Sequence, residues 1–433
     1  MQNKLSKFQV FYYIILLGVQ VSWLDPVNSP PMVERLAFFA ALLLPAWFTT
    51  RSVVPIVFGF HCIAIYGFAA TYMPTEIFIY AISILLLICV SISRTSIGES
   101  GRIIPPKIFL WFVAYMVIVD MIFDGYQNSF TYNGFITLFL CFFAIHPSDK
   151  HSVTSFSLMF AISSIILTIY FYFGKALYTE NVGGYGSDLE GMAWIDPNYF
   201  AMVVGMGMVA SIVELSMYDK VELKFKSIYF LSIICSLFVF STAGSRGAIV
   251  SIMGMLLFYM LFSKVKFTYK ILGIVAGVVV LYYLYVGNYF ELLLYKFTND
   301  DTVTSGRTEI WTTKLDAFFK EGSIINYILG IGYQNATNLG QAKLGNAFML
   351  HNDFIACFVK YGIIGLSLFS YIMIKPFMLI KKNDKNRALI LSCIIYLILC
   401  CMSLEPFTAG YFQYYIFLLY IYLLAHKSQY SLE

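Results

Sequence analysis

Hydrophobic stretches of about 17–22 residues, broken by short polar turns, run the length of this chain. A helix rising ~1.5 Å per residue needs roughly that length to cross a hydrocarbon core. The stretches are continuous rather than alternating, which predicts helices and excludes a closed barrel. They place helices at 8–24, 33–49, 53–71, 76–93, 107–123, 130–146, 153–174, 197–217, 226–243, 246–263, 268–288, 351–375, 388–404 and 411–426. The expected fold is thus an all-α polytopic membrane protein with about 14 transmembrane helices. Pro45 and Pro55 interrupt the second and third, which only a short polar break separates. If that hairpin does not cross fully, the count is 12.

Three segments break the pattern of tight turns. The first, 175–196, holds Gly183-Gly184-Tyr185-Gly186 and then Asp188, Glu190, Trp194 and Asp196. The second is the turn 241–248, and the third, 289–350, is long enough to fold. Within it Trp311, Leu315, Phe318 and Phe319 recur at the spacing of an amphipathic helix beginning near Thr308. Glu309, Lys314, Asp316 and Lys320 would form its polar face, and such a helix is expected to lie flat at the interface, apolar face down. Three regions follow: eleven helices over 1–288, a large loop over 289–350, and three helices over 351–433.

Composition agrees, since 60% of the residues are hydrophobic and only 12% charged, whereas soluble domains run near one quarter charged. Lysine and arginine resist translocation, so their distribution orients the chain. With the N-terminus inside, nineteen of the 28 basic residues fall on the cytoplasmic side, and most of the others lie in or just after the long loop. Both termini are therefore expected in the cytoplasm, with 289–350 on the opposite face. The net charge of +4 reflects this sidedness and points to no nucleic-acid partner. The first hydrophobic stretch ends at Asp25-Pro26, not at a cleavage site of small residues. All eight cysteines fall in predicted helices without a CxxC pair, so neither disulfides nor bound zinc is expected.

The candidate chemistry lies on the outer side. Arg246, flanked by Ser245 and two glycines, sits at a helix end, where it serves either an anionic ligand or an interfacial anchor. Arg307 stands at the predicted N-terminus of the amphipathic helix, where free backbone N–H groups and a guanidinium suit a phosphate; a solvated surface arginine has the same appearance. His351, followed by Asn352, opens the twelfth predicted helix, and histidine can take and return a proton near neutral pH, although a structural interfacial histidine fits as well. Glu405, at the outer end of the thirteenth, is a candidate to pair with one of the arginines or to bind sugar hydroxyls. Trp194, Trp311 and Tyr333 could stack on sugar faces, or simply mark the membrane interface.

The order and spacing of these residues carry a resemblance. Asp196-Pro197-Asn198-Tyr199-Phe200-Ala201, Ser245-Arg246-Gly247-Ala248, Ser305-Gly306-Arg307 with Trp311, Gly330-Ile331-Gly332, and His351-Asn352-x9-Gly362-x2-Gly365 resemble the successive motifs of the Wzy polymerase and O-antigen ligase superfamily. The motifs span roughly 196–366. The resemblance implies a metal-independent, cofactor-free glycosyltransferase of the bacterial inner membrane, acting at the periplasmic face on undecaprenyl-diphosphate-linked glycans as donor and acceptor. Arg246 and Arg307 would clamp the donor diphosphate and His351 would be the base. Ser245, Asn198, Asn352, Tyr333 and Glu405 are the candidate substrate contacts, and membrane lipid and a chain-length regulator protein are implied partners. Span number and the Asp-Pro-Asn and Ser-Gly-Arg motifs favour an O-antigen polymerase over an O-antigen ligase, with a lipid-linked-glycan flippase as the competitor from another class.

Overall fold

A computed structural model describes Ile15 and residues 107–125, 150–173, 197–217, 223–242, 245–287, 307–345, 349–379 and 386–405. All regular secondary structure among them is helical. Apart from Ile15, the expected spans 8–24, 33–49, 53–71, 76–93, 130–146 and 411–426 lie outside the described residues, as do the segments 175–196 and 289–306. The chain divides into two compact units, one formed by 1–104, 133–240 and 414–433, the other by 105–132 and 241–413.

The helices are α1 (Lys107–Phe123), α2 (Lys150–Phe173), α3 (Pro197–Met217), α4 (Leu223–Thr242), α5 (Arg246–Phe262), α6 (Phe267–Val286), α7 (Arg307–Glu321), α8 (Ile324–Leu329), α9 (Tyr333–Asn338), α10 (Gln341–Leu344), α11 (Asp353–Leu379) and α12 (Arg387–Ser403). Where hydropathy and structure can be compared, they agree within a few residues, and 107–123 and 197–217 coincide. Hydropathy finds such helices because each needs a continuous apolar stretch of fixed length. By length and composition, Asp353–Lys375 suffices to cross a membrane; shorter apolar helices include Phe225–Ser241, Arg246–Phe262 and Arg387–Ser403. On α6, residues such as Phe267, Val278 and Tyr283 are exposed apolar surface, as expected where lipid rather than water is the solvent.

In the first unit α2, α3 and α4 pack through a seam of small polar residues. The Ser164 and Ser232 hydroxyls lie 2.6 Å apart, and Ser236 Oγ donates to the Val204 carbonyl at 2.9 Å. Ser157 Oγ donates to the buried carboxylate of Glu214 at 2.5 Å. Short hydroxyl side chains let backbones approach and supply hydrogen bonds where no hydrophobic drive acts between helices in lipid.

The second unit contains α1 and α5–α12. Here α5 packs along α12, and Gly247 permits close approach at its first turn: a Cβ there would lie 2.8 Å from the Ser403 side chain. Between them in sequence, α7, α8 and α9 fold onto the first turns of α11, and α10 packs on α7. Phe318, Ala336, Leu350, Ala356 and Val359 form the core of this assembly, with Trp311 and Leu315 packed against it.

Two expectations are corrected by this packing. The apolar face of α7 meets α11 rather than lying down on the membrane, leaving Phe319 the exposed member of the predicted stripe. Lys314, expected on the polar face, is wholly buried and donates to the carbonyls of Ala336 and Thr337 at 2.8 and 2.7 Å. Those carbonyls lie in the last turn of α9, where a helix leaves acceptors without intrahelical partners.

The predicted span 351–375 is also not one continuous helix. It breaks at Gly362 (φ 65°, ψ −168°), a conformation essentially confined to glycine. The break frees carbonyls of the preceding turn, which then accept from the motif Gly330-Ile331-Gly332: Ile331 N–H donates to Val359 O at 3.2 Å and Gly332 N–H to Lys360 O at 2.9 Å. Tyr115 of α1 closes the junction, its hydroxyl 3.1 Å from the Leu329 carbonyl and 3.0 Å from that of Tyr361.

Candidate functional site

The histidine motif is built as a helix start. Asn352 Oδ1 accepts from the backbone N–H groups of Phe354 and Ile355 at 3.0 and 3.1 Å, capping α11, while its Nδ2 donates to the Met402 carbonyl at 3.0 Å. Asparagine serves this role because its side chain matches the first free amides of a helix. His351, one residue earlier, has φ 50° and is the only non-glycine residue with positive φ among those described. Its backbone N–H donates to Glu405 Oε1 at 2.5 Å. Trp311 Nε1 donates to the carbonyl of Leu350, anchoring α7 to the same turn.

Both arginines stand at helix starts beside the last turn of α12. Arg307 is the first residue of α7, and its Nη1 donates to the Ser403 carbonyl at 2.6 Å. Arg246 is the first residue of α5; Ser245 before it is the N-cap, its hydroxyl accepting from Ala248 N–H at 3.4 Å. The next residue, Gly247, abuts Ser403. The N-termini of α5, α7 and α11 therefore converge where α12 ends. Each brings the positive end of a helix dipole, and two bring a guanidinium, which together favour an anion.

Behind this convergence lies a buried ion pair. Lys360 Nζ donates to Glu405 Oε2 at 2.8 Å, and the two side chains are 2% and 0% exposed. Burial pushes the Glu405 carboxyl up, but the Lys360 charge and hydrogen bond, with His351, outweigh it and hold the group below the usual carboxylate range. The Lys360 ammonium also lies 4.4 Å from the centre of the Tyr333 ring. Tyr333 is fixed in turn by α1: its N–H donates to Asp120 Oδ1 at 2.9 Å, while Asp124 accepts from Gln334 N–H and Asn335 N–H at 2.7 and 3.2 Å. Burial raises the Asp124 carboxyl against those amide bonds, and it lowers the amine of Lys314 to about 8.

The second unit thus gathers Arg246, Ser245, Arg307, His351, Asn352 and Glu405 around the end of α12, with Tyr333 reached through Lys360. Asn198, the second residue of α3, belongs to the other compact unit. Glu405, expected to meet an arginine or sugar hydroxyls, makes its ion pair with a lysine instead. Sequence reasoning missed Lys360, Asp120, Asp124 and Lys314. A signal existed for two of them, since Lys360 and Asp120 are ionisable residues inside apolar stretches, where charge is expensive and usually functional or paired. Among the described residues no group of three His, Cys, Asp or Glu side chains could hold a metal ion.

Chemically, helix N-termini and two arginines gathered in one place suit an anion such as a phosphate group, with His351 in the adjoining turn. Residues 231–370 match the model of a family described as O-antigen ligase. That range holds Arg246, Arg307, Tyr333, His351, Asn352 and Lys360. No curated protein matches the chain. The family match supports the O-antigen ligase and polymerase superfamily, composed of integral membrane, glycosyltransferase-like proteins acting on lipid-linked glycans. It does not separate polymerase from ligase.

Proposed function

We propose that this protein is an O-antigen polymerase of the bacterial inner membrane, joining undecaprenyl-diphosphate-linked repeat units at the periplasmic face. The observation that carries the reading is the meeting of Arg246, Arg307 and the His351 turn at the end of α12. The arginines bind the donor diphosphate. An acceptor sugar hydroxyl attacks the anomeric carbon as the bond from that carbon to the diphosphate oxygen breaks, and His351 takes the hydroxyl proton. The diphosphate leaves with both electrons of the broken bond, its charge neutralised by the guanidiniums, so positioning and electrostatic stabilisation supply most of the rate without a metal. Ser245, Asn352 and Tyr333 contribute substrate contacts, and a chain-length regulator acts alongside.

Polymerase is favoured over ligase by the Asp196-Pro197-Asn198 and Ser305-Gly306-Arg307 motifs and by the expected span number. A flippase is disfavoured because the break in α11 is filled by the amides of Ile331 and Gly332, and the charge of Lys360 is met by Glu405. Lipopolysaccharide banding of a deletion strain tests the reading: core bearing a single repeat unit means polymerase, and core without O-antigen means ligase. In complementation, Arg246→Ala, Arg307→Ala and His351→Ala each abolish the ladder while the protein remains in the membrane. Normal ladders from all three would overturn the site.

A further inference from the structure

A lysine seven residues into an apolar helix is costly to bury, and an apolar residue of similar size would remove that cost. Lys360 nevertheless stands there, and its partner lies on neither its own helix nor a sequence neighbour. Glu405 comes forty-five residues later, just beyond α12. Its two oxygens have different tasks: Oε2 receives the Lys360 ammonium and Oε1 receives the backbone N–H of His351. That N–H belongs to the residue with the left-handed backbone, a conformation that L side chains adopt only when surrounding structure imposes it.

The backbone near Glu405 is itself held on two sides. The Ser403 carbonyl accepts from Arg307 and the Met402 carbonyl from Asn352. One chain of contacts therefore runs from Lys360 through the carboxylate to His351, and from the adjoining backbone to Arg307.

We propose that Lys360 and Glu405 form a positioning unit for His351, holding its backbone, and through it the imidazole, in register with the arginine-bound donor. This rests on the role of His351 proposed above. Glu405 is then not a sugar ligand, and Lys360, unassigned until now, belongs to the machinery without touching substrate. The charged groups coupled to the pair are Asp353 of α11 and Lys314 of α7, with His351 itself.

The test uses membranes of the deletion strain carrying the full-length variant, supplied with the host's own extracted lipid-linked repeat units, with polymer formation followed over time. The decisive variant replaces both charges, Lys360→Met with Glu405→Leu. It leaves no buried unpaired ion, so the protein is expected at wild-type level in the membrane with a similar thermal midpoint. Turnover is expected to fall about 10–100-fold, because a misplaced reacting group loses rate on that scale. The donor KM should change less than about twofold, since the arginines that bind the donor are untouched. Lys360→Arg, which can still pair with Glu405, should keep most of the turnover.

Glu405→Gln provides a second readout. Removing the carboxylate that favours the imidazolium should move the acid limb of the pH–rate profile to lower pH. A pair that held only the helices together, without acting on the imidazole, would not move that limb. Wild-type turnover in the double variant overturns the proposal, as does a loss confined to KM, which would make Glu405 a sugar ligand. If the double variant fails to accumulate, Glu405→Gln decides alone: unchanged turnover and an unshifted acid limb overturn the proposal. His351→Ala run alongside separates the two ideas. An active His351→Ala sinks the underlying reading, whereas an inactive one beside an active double variant sinks only the positioning role.

Discussion

Alanine at Gly362 should undock α8 and the Gly330-Ile331-Gly332 turn from α11. The residue has φ 65° and ψ −168°, and a Cβ built there would lie 2.2 Å from the Ile328 carbonyl oxygen, 2.4 Å from its carbon and 2.6 Å from Gly330 N. None of these is a flexible side-chain tip, so one backbone must move. The forced conformation alone costs about 1–3 kcal/mol. Moving either segment then strains the bonds from Ile331 N–H to Val359 O, from Gly332 N–H to Lys360 O and from Tyr115 to its two carbonyls. At ~1 kcal/mol for each bond lost, losing two or three of them brings the total to about 3–6 kcal/mol. Thermal unfolding of the detergent-solubilised protein, followed by loss of the monodisperse peak, measures the effect. Gly277→Ala is the control, because a Cβ there meets nothing within 4 Å and alanine is the better helix former. A Gly362→Ala midpoint matching that of Gly277→Ala would refute the reasoning.

Two further outcomes follow from single residues. His351→Gly should lose the ladder yet keep the thermal midpoint, because glycine tolerates φ 50°, while His351→Val should lose both, since a β-branched residue is strained there. Equal stability of the two variants would show that the left-handed turn is unimportant. Lys314 has its amine lowered from 10.5 to about 8 by burial, so between those values the unfolded chain binds more protons than the folded one. Its contribution to stability must therefore rise with pH over that window, the penalty for burying the cation being complete below about 8 and relieved towards 10.5. Lys314→Met should flatten the rise in thermal midpoint across the window, and an unchanged slope would contradict the burial of the amine.

Much of this protein was legible before its structure. Helices such as 107–123 and 197–217 coincide with their hydrophobic stretches, because a lipid-facing helix must be apolar over a fixed length. The start of α7 was visible in the spacing of Trp311, Leu315 and Phe318, although that spacing could not say whether lipid or protein would cover the face. Arg246, Arg307 and His351 stood out as polar residues at helix ends, and the glycines of the Gly330 and Gly362 motifs stood out as a pattern without a stated cause.

What the sequence by itself determined is the class of solvent, the helices that solvent demands, and the polar residue types standing at their ends, with a basic-residue distribution that predicts the sidedness of the chain. These follow from local properties, hydropathy and charge, that each residue expresses without reference to distant ones. Only the tertiary structure decided which charges meet. Lys360 pairs with Glu405 across forty-five residues, Asp120 caps Tyr333 across more than two hundred, and Gly362 needs to be glycine because the Ile328 carbonyl lies against it. The partner of a buried charge, and the backbone that fills a broken helix, depend on how distant elements pack, which no local pattern records.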